Sequence, residues 1–77
     1  MKRRPIQERL GKSIQKRRKA SSFTQEGFAD HIKMHRSQYG FLEQGKKDAR
    51  LSTIERVCAG LGIRMAELME DVESDDP

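Results

Sequence analysis

Apolar side chains in this chain recur every three or four positions and nowhere alternate with polar ones in steps of two. That spacing lines them along one face of a helix and disfavours half-buried strands. Ile6, Leu10 and Ile14 stand four apart, and the aliphatic stem of Arg17 extends their stripe. Phe28, Ala29 and Ile32 form a second, shorter stripe, and Tyr39 with Leu42 a third. Leu51, Ile54, Val57, Cys58 and Leu61 mark a fourth helix, and Met65, Leu68 and Met69 a fifth. Residues between the stripes are those that start and stop helices. Pro5 suits a first turn, Ala20-Ser21-Ser22 is a break, and Thr24 is placed as an N-cap. Gly45 and Gly62 stand where a glycine closes a helix, and residues 46–50 read as a polar loop. The prediction is an all-α, compact five-helix bundle.

The chain has 77 residues, enough for one small domain. A domain of this size needs a covalent or metal staple, efficient helix packing, or a partner chain. Cys58 is the single cysteine and can make no internal disulfide, and no Cys/His cluster has zinc-ligand spacing. Helix packing or pairing must therefore hold the fold. No apolar run is long enough to cross a bilayer or to act as an export signal, so a reducing cytoplasm is the expected compartment. His31 and His35 straddle an expected turn, and no catalytic, metal-ligating or cofactor-binding set is expected. Residues 1–70 are expected to form the domain, and residues 71–77 an acidic disordered tail.

The net charge of +4 conceals a gradient: +8 over residues 1–19, +1 over residues 20–50 and −5 over residues 51–77. A basic end suits a polyanion such as DNA, although charged residues also simply coat small helical proteins.

The most specific signal runs from Thr24 to Gly45. A short helix carries Phe28, Ala29 and Ile32, a tight turn follows, and a second helix buries Tyr39 and Leu42. A small residue such as Ala29 is needed where two short helices cross steeply, and Met34 is placed to plug the turn. Ahead of this lie Leu10-Gly11, Ile14 and Arg18. After it come Leu42-Glu43-Gln44-Gly45-Lys46, Leu51-Ser52-Thr53-Ile54 and Leu61-Gly62-Ile63. In this order and spacing the chain resembles the lambda repressor/Cro-type helix-turn-helix family from about Leu10 to Leu68. The resemblance implies a lambda-repressor-like fold and a DNA-binding function.

Five positions depart from the family pattern. Gly27 replaces an acid that would close a capping box, a local loss of about 1 kcal/mol. Lys33 stands where the turn commonly has glycine, and His35 where a stronger N-cap is usual. Asp48-Ala49 replaces a common Asn-Pro.

The resemblance also implies roles, residue by residue. Arg36, Ser37, Gly40 and Phe41 would face the major groove and its base edges. An arginine can donate two hydrogen bonds to guanine, and a phenylalanine can touch a thymine methyl. A phosphate clamp for Arg36 and an inward or partner-facing Phe41 are the alternatives. Gln25, Gln38, Gln44, Lys46, Lys47 and Arg18 would meet the DNA backbone, and Arg18 with Glu43 would form a buried ion pair. The expected partners are double-stranded DNA and a second copy of the chain, paired through residues 61–69 on a palindromic operator. The expected activity is transcriptional regulation, as a repressor or autoregulator, without enzymatic function. The alternative is an antitoxin that binds a partner toxin through the acidic segment after Leu68 and regulates its own operon.

Overall fold

The computed structural model describes residues 3–74. Five helices follow in order: α1 (Ile6–Ala20), α2 (Gln25–His31), α3 (Arg36–Gln44), α4 (Leu51–Leu61) and α5 (Met65–Glu73). Helix α1 is the longest and lies against α3 and α5, while α2 crosses α3. The shared core is Leu10, Ile14, Phe28, Ala29, Ile32, Tyr39, Leu42, Ile54, Val57, Cys58, Leu68 and Val72. Burial of Cys58 pushes its thiol up and away from reactivity.

Local chemistry explains the boundaries. The Thr24 hydroxyl accepts the amide of Gly27 at 2.9 Å and caps α2. Gly45 and Gly62 close α3 and α4 in the left-handed conformation, at φ of 72° and 71°. The next amide along, Lys46 or Ile63, then donates back to Phe41 or Cys58 and satisfies a helix-end carbonyl. Lys33 adopts φ 57° in the turn from α2 to α3, where the Met34 amide donates to the Ala29 carbonyl at 2.9 Å. A side chain is strained there, which is why glycine is common at such a place.

Three expectations change. Ile6 and Leu51 begin their helices at the surface and are 53% and 74% exposed. The expected tail begins inside α5. Val72 is buried, and Asp71 accepts from Arg17 Nε at 2.7 Å and from Arg17 Nη2 at 3.3 Å. Arg3 and Arg9 donate to the carbonyls of Val72 and Glu73, satisfying the end of α5 with positive charge. Residues 75–77 of that segment lie outside the described residues, as does Lys2 of the basic end.

Arg18 of α1 reaches Glu43 of α3 in a two-pronged ion pair, with Nε to Oε2 at 2.6 Å and Nη2 to Oε1 at 3.1 Å. The side chains are only 7% and 1% exposed. Arg18 Nη1 also donates to the Phe23 carbonyl at 2.8 Å, while Glu43 accepts from the Tyr39 hydroxyl and from Gln25 Nε2. Burial raises the Glu43 carboxyl, but the hydrogen bonds from Arg18, Tyr39 and Gln25 outweigh it and hold the group below its ordinary range. Burial pushes the Tyr39 phenol well above its usual value, and its bond to Glu43 adds to this. Gly11 completes the contact between α1 and α3. A Cβ there would lie 2.6 Å from the Leu42 carbonyl oxygen and closer still to that of Glu43.

Three stability measurements check this arrangement. Gly11→Ala should cost about 2–3 kcal/mol by overpacking against backbone, read by urea unfolding. Lys33→Gly should gain roughly 1 kcal/mol by relieving the left-handed strain. Glu43→Gln should lose about 3–5 kcal/mol near neutral pH because it leaves Arg18 buried without a counter-charge. Glu43 is held below 4.5, so its stabilisation is present above that pH and fades as pH falls through the lowered value. The gap between wild type and Glu43→Gln should therefore narrow in acid; a gap that stays constant down to about pH 3 would contradict the assignment.

Candidate nucleic-acid interface

The cluster around Glu43 fixes the rotation of α3 about its own axis. Tyr39, Gly40, Leu42 and Glu43 are buried, so Ser37, Gln38, Phe41 and Gln44 emerge together on the open side, with Arg36 exposed at the first turn of the helix. Helical spacing explains the division, since residues 37, 41 and 44 share one face. The open face is polar and basic apart from Phe41. That ring is 37% exposed, and the ammonium groups of Lys46 and Lys47 stand 5.9 and 5.6 Å from its centroid. The αL turn at Gly45 returns the chain and brings both lysines beside the C-terminal half of α3. Phe41 thus supplies a ring on which two cations gather, an attraction characteristic of ammonium over an aromatic face.

At the other end of α3, Arg36 leans back across the turn onto α2. Its Nε and Nη2 donate to the two oxygens of Asp30 at 3.2 and 2.8 Å, and Nη1 lies 3.4 Å from Glu26 Oε2. Hydrogen bonding to Arg36 lowers the Asp30 carboxyl, and the same bond raises the arginine. All three side chains are more than half exposed, so salt screens the attraction.

Two site expectations need correction. Arg18 is turned wholly into the Glu43 cluster, and with its side chain 7% exposed it has no accessible group for a phosphate. Gly40 is buried under the Gln25 side chain, whose Oε1 would lie 3.7 Å from a Cβ at that position. It is where α2 and α3 approach, not a base-facing surface. Gln25 itself is half-buried, with its amide committed to Glu43. Gln38, Gln44, Lys46 and Lys47 are all exposed. The bonds of Arg36 to Asp30 and Glu26 were missed by sequence reasoning. The spacing of Glu26 and Asp30, four apart on one face of α2 and preceding an arginine, was the available signal.

The two histidines have structural places. His31 stacks on Phe23 with ring centroids 4.9 Å apart and places Nε2 3.2 Å from the Gly60 carbonyl, so it joins α2 to α4. His35 begins α3 without a side-chain cap. Among the described residues, no group of three or more His, Cys, Asp or Glu is placed to hold a metal ion. No helix among them is long and apolar enough to cross a membrane.

An exposed second helix held at a fixed angle on a first, with cations gathered at its end, is the arrangement that inserts a helix into a DNA groove. Comparison with known proteins agrees. Residues 14–68 match the helix-turn-helix family model. The control protein C.MunI of a Mycoplasma species is 38% identical over 71 residues, covering 91% of this chain and 96% of that protein. The crystal structure of the restriction-modification controller protein C.AhdI from Aeromonas hydrophila is similar with a TM-score of 0.76 and 28% identity, over 79% of this chain and 92% of that one. The clp gene regulator ClgR of Corynebacterium glutamicum shares the fold, with a TM-score of 0.87 and 21% identity over 92% of each chain. The chain belongs to the lambda repressor/Cro-like helix-turn-helix family of DNA-binding transcription regulators.

Proposed function

We propose that this protein is a sequence-specific regulator that binds a two-fold-related operator as a homodimer and controls transcription as a repressor or autoregulator. The observation that carries the reading is the exposed face of α3, rigidly backed by the Glu43 cluster and flanked by Lys46 and Lys47. In this reading α3 enters the major groove from its N-terminal end. Arg36 meets a guanine, Ser37 a neighbouring base edge and Phe41 a thymine methyl. Gln38, Gln44, Lys46 and Lys47 follow the sugar-phosphate backbone and set the register, and Gln25, its side-chain amide held by Glu43, has its backbone amide at the start of α2 for a phosphate. The similarity to a control protein and to a restriction-modification controller supports a regulator of this size acting through its own concentration.

Pairing is supported by the α4–α5 corner, where Leu61, Ile63, Met65 and Met69 are only partly buried. Two copies joined there would offer two α3 helices to half-sites about 34–36 Å apart, one turn of DNA. The antitoxin alternative needs the acids after Leu68 free for a partner. Asp71 is instead bonded to Arg17, and the backbone ends of α5 to Arg3 and Arg9.

Binding to the DNA upstream of its own gene should weaken steeply with salt, as counterions return to the released phosphates. A flat response between about 50 and 200 mM salt would refute the reading. Arg36→Ala should lose roughly 1–3 kcal/mol and relax preference at one base pair, whereas Lys46→Ala should weaken all sequences alike. Equal behaviour of the two variants would remove base reading from Arg36. Sedimentation should find a dimer at operator-binding concentrations; a monomer would contradict the paired arrangement.

A further inference from the structure

A base-reading arginine at a groove has two competing acceptors. Guanine offers two neutral atoms, while the backbone offers anionic oxygens everywhere. A free guanidinium is drawn to the second, which carries no sequence information. Arg36 is not free. Asp30 takes the side edge of its fork, formed by Nε and Nη2, in a bidentate pair, and Glu26 stands beside Nη1. These carboxylates come from one face of α2, four residues apart, and both project across the turn towards the first residue of α3. The three groups together carry a net negative charge. Such a cluster repels a phosphate oxygen and still donates to a neutral acceptor. The guanidinium has five donors in a fixed plane, so occupation of its side edge leaves the end-on edge, Nη1 with the second proton of Nη2. The long 3.4 Å contact to Glu26 is the weaker one and the one more readily exchanged for a base.

We infer that Asp30 is a specificity-determining positioning residue: it holds Arg36 by the side edge, directs the end-on edge to DNA, and with Glu26 disfavours phosphate as the acceptor. The inference rests on the proposed base-reading role of Arg36 and adds the reason that this arginine reads a base rather than clamping the backbone. Asp30 and Glu26 make no contact with DNA in this arrangement, and they act through Arg36. The lowered Asp30 carboxyl is consistent with a carboxylate that stays charged beside the arginine.

The test uses the full chain and two duplexes of equal length: the site footprinted in its own upstream DNA and a scrambled version. Affinities for both are measured at one salt concentration for wild type, Asp30→Asn, Arg36→Ala and the double variant. Asp30→Asn should tighten binding to scrambled DNA and lower the ratio of specific to scrambled affinity by about fivefold or more. In the Arg36→Ala background the same change should shift both duplexes by one factor and leave the ratio unaltered. Glu26→Gln should act in the same direction more weakly. A ratio unmoved by Asp30→Asn, or moved as much without Arg36 as with it, would overturn the inference. If Arg36→Ala lowers the ratio and Asp30→Asn does not, the inference alone fails. If Arg36→Ala leaves the ratio unchanged, base reading by Arg36 fails and the inference with it. Asp30 is exposed, so an unchanged circular dichroism melt should accompany each Asp30→Asn measurement.

Discussion

The buried pair of Arg18 and Glu43 is the interaction on which the orientation of α3, and so its exposed face, depends. It joins α1 to α3 directly, and through Gln25 it reaches the start of α2. Two charges taken out of water are stabilising only when their remaining hydrogen-bonding capacity is met. Here the carboxylate receives Arg18, Tyr39 and Gln25, and the guanidinium also meets the Phe23 carbonyl. A network with this many directional bonds admits few geometries. It sets the rotation of α3, and that rotation decides which of its residues leave the core. Gly11 contributes by letting α1 approach to backbone contact, so that the arginine can reach across. The energetic gain over an apolar core is small or negative by general experience; what the pair contributes to this fold is orientation.

Much of the scaffold was legible from apolar spacing and helix punctuation. Thr24, Gly45 and Gly62 mark ends by local chemistry that does not depend on the rest of the fold, and all three lie at helix ends in the structure. The limits arise where tertiary geometry decides. Ile6 and Leu51 carry the right residue type in the right period, yet each is the first residue of its helix and stays largely exposed. Periodicity cannot register that difference. The acidic composition after Leu68 suggested a tail, but Val72 finds the core and three arginines from the N-terminal part of the chain close the end of α5. That closure spans more than fifty positions and leaves no local trace.

Site residues divide in the same way. Exposure of Ser37, Gln38, Phe41 and Gln44 follows from helical phase once Tyr39 and Leu42 are buried, whereas Arg36 shares the phase of Tyr39, Gly40 and Glu43 and is exposed as the first residue of the helix, and Lys46 and Lys47 lie beyond its end. Arg18 and Gly40 do not follow, because position-matching reports proximity to a surface and not which way a side chain turns. The charge gradient also changes meaning. Arg3, Arg9 and Arg17 face the end of α5, so part of the basic segment balances the acidic one within the molecule. On the open side of α3 the positive charge of Lys46 and Lys47 gathers about Phe41, while that of Arg36 is moderated by two carboxylates. A small domain reads sequence through few groups, and in this account the acids beside its arginine are as much a part of the reader as the bases.

The most direct test is to map the protein surface that DNA touches while monitoring the buried pair. Amide and arginine Nε resonances of the full chain would be followed by nuclear magnetic resonance as its own upstream duplex is added. Perturbations should concentrate on residues 36–47 and the start of α2, and the Arg18 Nε proton should stay protected throughout. Perturbations centred on α1 or α5, or loss of Arg18 protection on binding, would contradict the claim that a rigid Arg18–Glu43 cluster presents α3 to DNA.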